Sequence, residues 1–224
     1  MLTLGSPSFD MRAFRWVGTF LLFALPGAAS GCMATGLYTT PDTLAPGKVQ
    51  GVTMWDAWRV ERNMGPLPGG LFGDRHELLE GVSIIPSAMV RWGVVHDLEV
   101  GLATLGADAK WRVLHTDAVS MAIDPTVRLA VGNDAGELAQ LPVLVGLRLE
   151  DVVFVANAGL AYSHMHVTDG PYLDNLSLRS GLGVRFQLGP HVALQPEVTY
   201  IRSVTGRSLD WLSGGVALQF GGIP

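Results

Sequence analysis

Residues 119–131 read Val119-Ser120-Met121-Ala122-Ile123-Asp124-Pro125-Thr126-Val127-Arg128-Leu129-Ala130-Val131. Every odd position is apolar, while Ser120, Asp124, Thr126 and Arg128 share the even positions. Period-two alternation of this kind marks a strand with one apolar and one polar face. The run is also about as long as a tilted strand needs to cross a bilayer, roughly 9 to 11 residues. A slip of one residue would carry Asp124 and Arg128 into the apolar face, so the register is strongly specified.

The same alternation recurs along residues 47–58, 82–94, 97–104, 107–114, 139–149, 152–166, 176–188, 192–203 and 210–220, whereas helical periodicity fails throughout. In 176–188, Leu176, Leu178, Leu182, Val184, Phe186 and Leu188 face one way, with Arg179, Gly181, Gly183, Arg185 and Gln187 opposite. The expected fold is all-β, a closed antiparallel up-and-down transmembrane β-barrel of about ten strands over residues 47–220. Connections are tight at 95–97, 115–118, 150–151 and 189–191. They are long at 59–81, 132–138, 167–175 and 204–209. Outer-membrane barrels keep short turns in the periplasm and long loops outside, which sets both chain ends on the periplasmic side.

Charge sorts by face. Lys48, Arg91, Glu99, Asp108, Lys110, Arg112, Asp124, Arg128, Arg148, Arg179, Arg185 and Glu197 all fall on the polar, lumen-facing register. Only Arg202 and Asp210 put charge on the apolar face, and both adjoin the 204–209 loop. There the midplane cost of a lipid-facing Arg or Lys, roughly 2–4 kcal/mol, vanishes into the interface. Trp92, Trp111, Phe154, Phe186 and Phe220 lie on the apolar face near the tight turns and form an expected interfacial girdle. Trp55, Tyr162 and Tyr200 make a sparser belt near the long loops. Pro86, Pro125, Pro142 and Pro196 each remove a ladder donor, and local bulges or a misplaced strand boundary are expected there.

The amino terminus reads as an export signal over residues 1–31. Met11-Arg12-Ala13-Phe14-Arg15 supplies a basic region, with Met11 a second candidate start, and Trp16–Leu25 an apolar run broken by Pro26-Gly27. That run is too short to span a bilayer as a helix, which needs about 20 residues. Removing the signal takes away Arg12, Arg15 and Asp10 and leaves an acidic chain, so nothing basic invites nucleic acid. Ala29-Ser30-Gly31-Cys32 contains the chain's one cysteine, directly after small residues. This resembles a lipobox, which implies diacylglycerol on Cys32; the alternative is ordinary signal cleavage that leaves a free thiol. Residues 32–46, with little periodicity, are expected to be a lipid-tethered periplasmic linker, and 221–224 a short tail.

Ser213-Gly214-Gly215-Val216-Ala217-Leu218-Gln219-Phe220 resembles the carboxy-terminal β-signal of outer-membrane proteins, carried by Ser213, Gly215, Leu218 and Phe220. Thr43-Leu44-Ala45-Pro46-Gly47-Lys48 and Arg91-Trp92-Gly93-Val94-Val95-His96-Asp97-Leu98-Glu99-Val100-Gly101 are similar to stretches of the outer-membrane β-barrel lipoprotein families. The resemblance extends loosely over residues 32–220. It implies an outer-membrane address and the barrel-assembly and lipoprotein-sorting machineries as partners, beside outer-membrane lipids. Many members of those families have no assigned activity.

Ser163, His164, His166 and Asp169 suggest a rim active site of an envelope hydrolase, but the alternation turns Ser163 inward and both histidines outward. His164 and His166 share a strand face without a third ligand, so no metal site is specified. Gly181-Leu182-Gly183 lacks the strand-to-helix context of a dinucleotide fingerprint, and no cofactor is implied. The expected function is therefore a structural or narrow-channel barrel whose polar lumen is filled by interleaved ion pairs. An envelope enzyme and a soluble lipocalin-like ligand carrier, which would turn its apolar face inward, are the alternatives.

If Cys32 is acylated, metabolic labelling with a fatty-acid analogue should mark the wild-type chain and disappear in Cys32→Ala.

Overall fold

The computed structural model describes residues 36–63, 76–82, 86–130, 136–166, 172–205 and 209–222. The expected signal, Cys32, Asp169 and the central parts of the long connections lie outside the described residues.

Twelve strand segments build the molecule: β1 (Val49–Asn63), β2 (His76–Val82), β3 (Ser87–Val95), β4 (Leu98–Ala103), β5 (Gly106–His115), β6 (Val119–Ile123), β7 (Thr126–Ala130), β8 (Gly136–Leu149), β9 (Val152–His166), β10 (Tyr172–Gly189), β11 (Val192–Ser203) and β12 (Leu209–Gly221). β2 and β3 both pair with β1, end to end, and β6 and β7 lie end to end between β5 and β8. The twelve segments are therefore ten staves. All are antiparallel neighbours in chain order, and β12 pairs β1 from Gln50–Gly221 to Arg62–Leu209 to close the barrel. Closure matters physically, because an open sheet edge in hydrocarbon would leave unpaired N–H and C=O groups.

The two breaks coincide with prolines. Met54 pairs Ser87 while Ala57 pairs Val82, so the register moves by two residues across the break that holds Pro86. At Asp124-Pro125 the register is kept: the Asp124 N–H donates to the Pro142 carbonyl at 3.1 Å, and the Ala109 N–H to the Pro125 carbonyl at 3.1 Å. At Pro196 the β10–β11 ladder stops after Gly183–Glu197 and resumes unshifted at Phe186–Leu194. A bulge or a misplaced boundary was expected at all four prolines, but only Pro86 marks a shift. The other three cost single ladder bonds, which the neighbouring staves tolerate. Single-residue irregularities fall instead between Gly93 and Val95, Arg112 and Leu114, and Gln187 and Gly189, all beside tight turns.

Strands run further toward the long-loop end than the apolar alternation does. β1 continues to Asn63 and β2 starts at His76, inside the expected 59–81 connection, and β10 starts at Tyr172. Arg59 and Glu80 stand opposite each other there, exposed and 3.7 Å apart. The ladder continues where the outer face has left the apolar zone, so hydropathy underestimates strand length.

The outer face carries Leu141, Val143, Val145 and Leu147 on β8 and Leu176, Leu178, Leu182 and Leu188 on β10, all exposed. Trp92, Trp111, Phe154, Phe186 and Phe220 are exposed on this face too. Trp92, Trp111, Phe186 and Phe220 pair with Val49, Leu98, Val152 and Val192, each the first residue of a strand, so they share one height. This is the surface of a membrane-spanning barrel with an aromatic girdle at its tight-turn rim.

Phe220 sits in the closing strand, opposite Gly51 and Val192. Phe220→Ala should lower the inserted, heat-modifiable fraction in membrane preparations; an unchanged yield would remove the closing strand's aromatic end from the assembly step.

Candidate functional site in the barrel interior

Because strand side chains alternate, sealing the outer face with apolar groups delivers every second residue to the interior. Arg91, Glu99, Asp108, Lys110, Asp124, Arg128, Arg179, Arg185 and Glu197 are all buried there. Arg112 and Arg148 lie at the tight-turn mouth, partly exposed, where Arg112 pairs Asp97 at 2.5 Å. Deeper, Arg91 lies 3.3 Å from Asp108 and 3.7 Å from Glu99, Lys110 lies 3.0 Å from Glu99, and Arg179 lies 3.4 Å from Glu197. Arg179 also donates to Asn157, Gln140 and Thr199. Asp124 is fully buried at the β6–β7 break, and neither of its carboxylate oxygens has a hydrogen-bond partner among the described residues. Arg91, Lys110 and Arg179 are thus paired with Asp108, Glu99 and Glu197 inside the barrel, which makes burial of those charges tolerable.

The interior also holds a piece of chain. Leu37, Tyr38, Thr39, Thr40, Asp42, Thr43 and Leu44 are buried, and they hydrogen-bond to the inward side chains of the barrel. This differs from the expected tether over 32–46: among the described residues of that range, 36–44 run inside the barrel, and Ala45 and Pro46 are exposed. The physical reason is the unspent hydrogen-bonding capacity of the inward charges, which a free main chain can satisfy and a wall of strands cannot. Glu197 accepts the N–H groups of Leu37 at 2.9 Å and Tyr38 at 2.8 Å. Arg91 donates to the carbonyls of Leu37 at 3.0 Å and Tyr38 at 3.3 Å. Gln219 donates to Tyr38, Gln195 to Thr39 and Lys110 to Thr40, while Glu99 accepts the Leu44 N–H at 2.9 Å.

Three side chains of the segment are fitted individually. Leu37 packs among Ala122, Leu144, Val153 and Val155. Tyr38 packs among Val52, Met54, Met89 and Ala217, and its hydroxyl donates to Asp56. Burial and then the Asp56 charge push the Tyr38 phenol well above its ordinary range, which keeps it a donor. Asp42 lies 2.5 Å from Arg148. Burial opposes its charge, yet the Arg148 hydrogen bond and charge outweigh that and hold the carboxyl below the usual carboxylate range. A depressed folded value means that this anchor is complete above the ordinary carboxylate pKa and is lost as pH falls through the depressed one. Inward glycines make the room: a Cβ on Gly93 would strike the carbonyls of Leu44 and Ala45, one on Gly146 would strike Pro41, and one on Gly215 would strike the Tyr38 hydroxyl.

Asp56, Tyr38 and Asp42 were not among the residues picked out from the sequence. Asp56 was legible, since it alternates with Trp55 in the first strand. Tyr38 and Asp42 were not, because an irregular segment has no period to follow. Of the expected assembly signal, Ser213 and Gly215 face inward, Leu218 is half-buried and Phe220 is exposed. Gly215 therefore has a second use beneath Tyr38.

Toward the long-loop end the interior turns apolar. Trp58 and Trp211 meet edge to face, centroids 6.4 Å apart, in a cluster with Val60, Leu138, Ala161, Ile201 and Met165. On the outer face nearby, one oxygen of Asp174 is bonded by His164 Nδ1 at 2.6 Å and by the Tyr162 hydroxyl at 2.8 Å. Ser163 is buried on the other side of the wall, so Ser163 and His164 are not brought together. Among the described residues, no three His, Cys, Asp or Glu side chains are grouped to hold a metal. Charge inside and apolar surface outside is the reverse of a soluble lipocalin-like carrier.

No family model matches the chain, and no curated protein matches it. Among solved structures it is similar to the outer membrane protease OmpT from Escherichia coli, with 10% identity over 81% of this chain and 100% of that one and a TM-score of 0.48. It is also similar to Ail, the attachment invasion locus protein of Yersinia pestis, with 12% identity over 77% and 99% and a TM-score of 0.37. The N-terminal β-barrel domain of Pseudomonas aeruginosa OprF matches with 11% identity over 78% and 98% and a TM-score of 0.40. These neighbours are bacterial outer-membrane β-barrel proteins, and the likeness is one of fold alone.

Removing a buried cation should be costly here. Arg179→Ala leaves Glu197 and Gln140 without their shared donor and should destabilise the barrel by about 3–5 kcal/mol, read as a lower urea midpoint of the folded, unheated band.

Proposed function

We propose that this chain is a small outer-membrane barrel lipoprotein with a closed lumen and a structural role in the envelope, slow passage of small solutes being secondary. One observation carries the reading: the stretch Leu37–Leu44 is buried inside the barrel, with its main chain bonded to inward side chains. A segment so held fills much of the tight-turn half. The Trp58–Trp211 cluster narrows the other half.

In this reading the tight turns and the amino terminus face the periplasm, and Cys32 carries a lipid in the periplasmic leaflet. The aromatic girdle at the tight-turn rim and the short connections there support that orientation. No nucleophile with its base is assembled in the described residues to favour an enzyme.

Planar-bilayer recording tests the proposal. The wild-type protein should be silent or show small flickering currents. Large, stable, weakly selective steps would overturn it. Replacing both fitted polar anchors, Tyr38→Ala with Asp42→Ala, should raise conductance above wild type, because the segment then loses its bonds to Asp56 and Arg148.

A further inference from the structure

The seat of residues 37–44 has a property that goes beyond closure. Its contacts are made largely to atoms every peptide has. The N–H groups of Leu37, Tyr38 and Leu44 and the carbonyls of Leu37, Tyr38, Thr39 and Thr40 are bound by Glu197, Arg91, Gln219, Gln195, Lys110 and Glu99. We propose that the lumen is a main-chain-reading site for an irregular peptide segment, occupied in cis by residues 37–44 and able to take a peptide of the same kind in trans. The inference rests on the closed-lumen reading for its resting state.

Four observations bear on exchange. The segment belongs to no strand ladder, and the ten staves close through β12 and β1 without it, so its departure breaks no sheet bond. Tyr38, at the centre of the seat, has φ of +47°, a left-handed conformation unfavourable for a non-glycine residue. Two successive N–H groups converge on one carboxylate, Glu197, as in the concave anion-binding turns that successive backbone donors form. Binding energy in the seat is therefore set against local strain. Finally, a cleft of about 660 Å³ opens at the tight-turn mouth beside Thr43–Pro46, edged by Lys48, His96, Arg112 and His191. Asp97 also lines it and pairs with Arg112 and His96, and the cleft gives an incoming peptide room beside the resident one.

The side-chain contacts define the class of peptide. It should turn at its second residue, with an aliphatic residue, then a tyrosine for Asp56, then three residues small enough for the seat of Thr39, Thr40 and Pro41, and a carboxylate for Arg148. A charged residue in the first position would be buried among Ala122, Leu144, Val153 and Val155, and an acidic one in the second would meet Asp56, so both are excluded.

The test uses the full-length protein in detergent and a fluorescent peptide with the sequence of residues 36–46. Tyr38→Asp places a carboxylate against Asp56 and Glu197 and should expel the resident segment. Asp42→Ala should loosen it more mildly. Heat-modifiable migration checks that each variant is folded. Two readouts are kept apart. Proteolysis within 36–46 reports seating: slow in wild type and at least tenfold faster in Tyr38→Asp. Wild-type cleavage as fast as the variant's would sink the closed-lumen reading itself. Fluorescence anisotropy reports exchange: Tyr38→Asp should bind the peptide at least tenfold more tightly than wild type does. A peptide N-methylated at the positions of Leu37 and Tyr38 should lose at least tenfold, while one with serine at the position of Thr40 should stay within about threefold. A folded variant with its segment expelled that fails to bind the peptide, or binds the N-methylated form equally well, would overturn the inference.

Discussion

Glu197 is the group on which the interior depends. Its two oxygens take the consecutive N–H groups of Leu37 and Tyr38, and one of them also lies 3.4 Å from Arg179 and 3.1 Å from the Thr199 hydroxyl. A carboxylate withdrawn from water in this way is tolerable only when it is both paired and hydrogen-bonded. Arg179 supplies the charge, and the N-terminal segment supplies the donors. Wall and segment thus complete each other, since a lumen without the segment would leave a charge without its donors.

The requirement originates outside the barrel. A lipid-facing surface of Leu, Val and aromatic residues forces polar groups to the alternate positions, and in ten staves those positions converge on a narrow space. Pairing between neighbouring staves, such as Arg91 with Asp108 and Lys110 with Glu99, answers part of the demand. Main chain answers the remainder more economically than further side chains would, because each residue brings a donor and an acceptor without another charge. The apolar cluster around Trp58 and Trp211 is the other solution to the same packing problem, used toward the long-loop end.

Much of this was legible in the sequence, and the limits are physical. Period-two alternation over 119–131 or 176–188 marks both faces of a strand without reference to any neighbour, so barrel, register and inward charges follow from it. Strand ends at the long-loop side were misplaced because Arg59 and Glu80 end the apolar signal while the hydrogen-bond ladder runs on. Prolines announce lost donors, yet whether the ladder shifts or skips depends on the opposing strand, as Pro86 and Pro196 show. Residues 36–44 follow no period at all, and their place is dictated by partners as distant in sequence as Glu197 and Gln219. Such pairings are invisible to any local reading.

The closing seam adds a mechanical consequence. The turn at Pro46-Gly47 leads directly from the segment into β1, the strand that pairs with β12, and the Gly222 N–H bonds to the Val49 carbonyl at 2.8 Å just where β1 begins. Tension on the segment from the tight-turn side is consequently passed along the axis of β1. The β1–β12 ladder, from Gln50–Gly221 to Arg62–Leu209, is then loaded in shear, with its bonds sharing the force rather than parting one at a time. The segment can be pulled while the barrel stays shut.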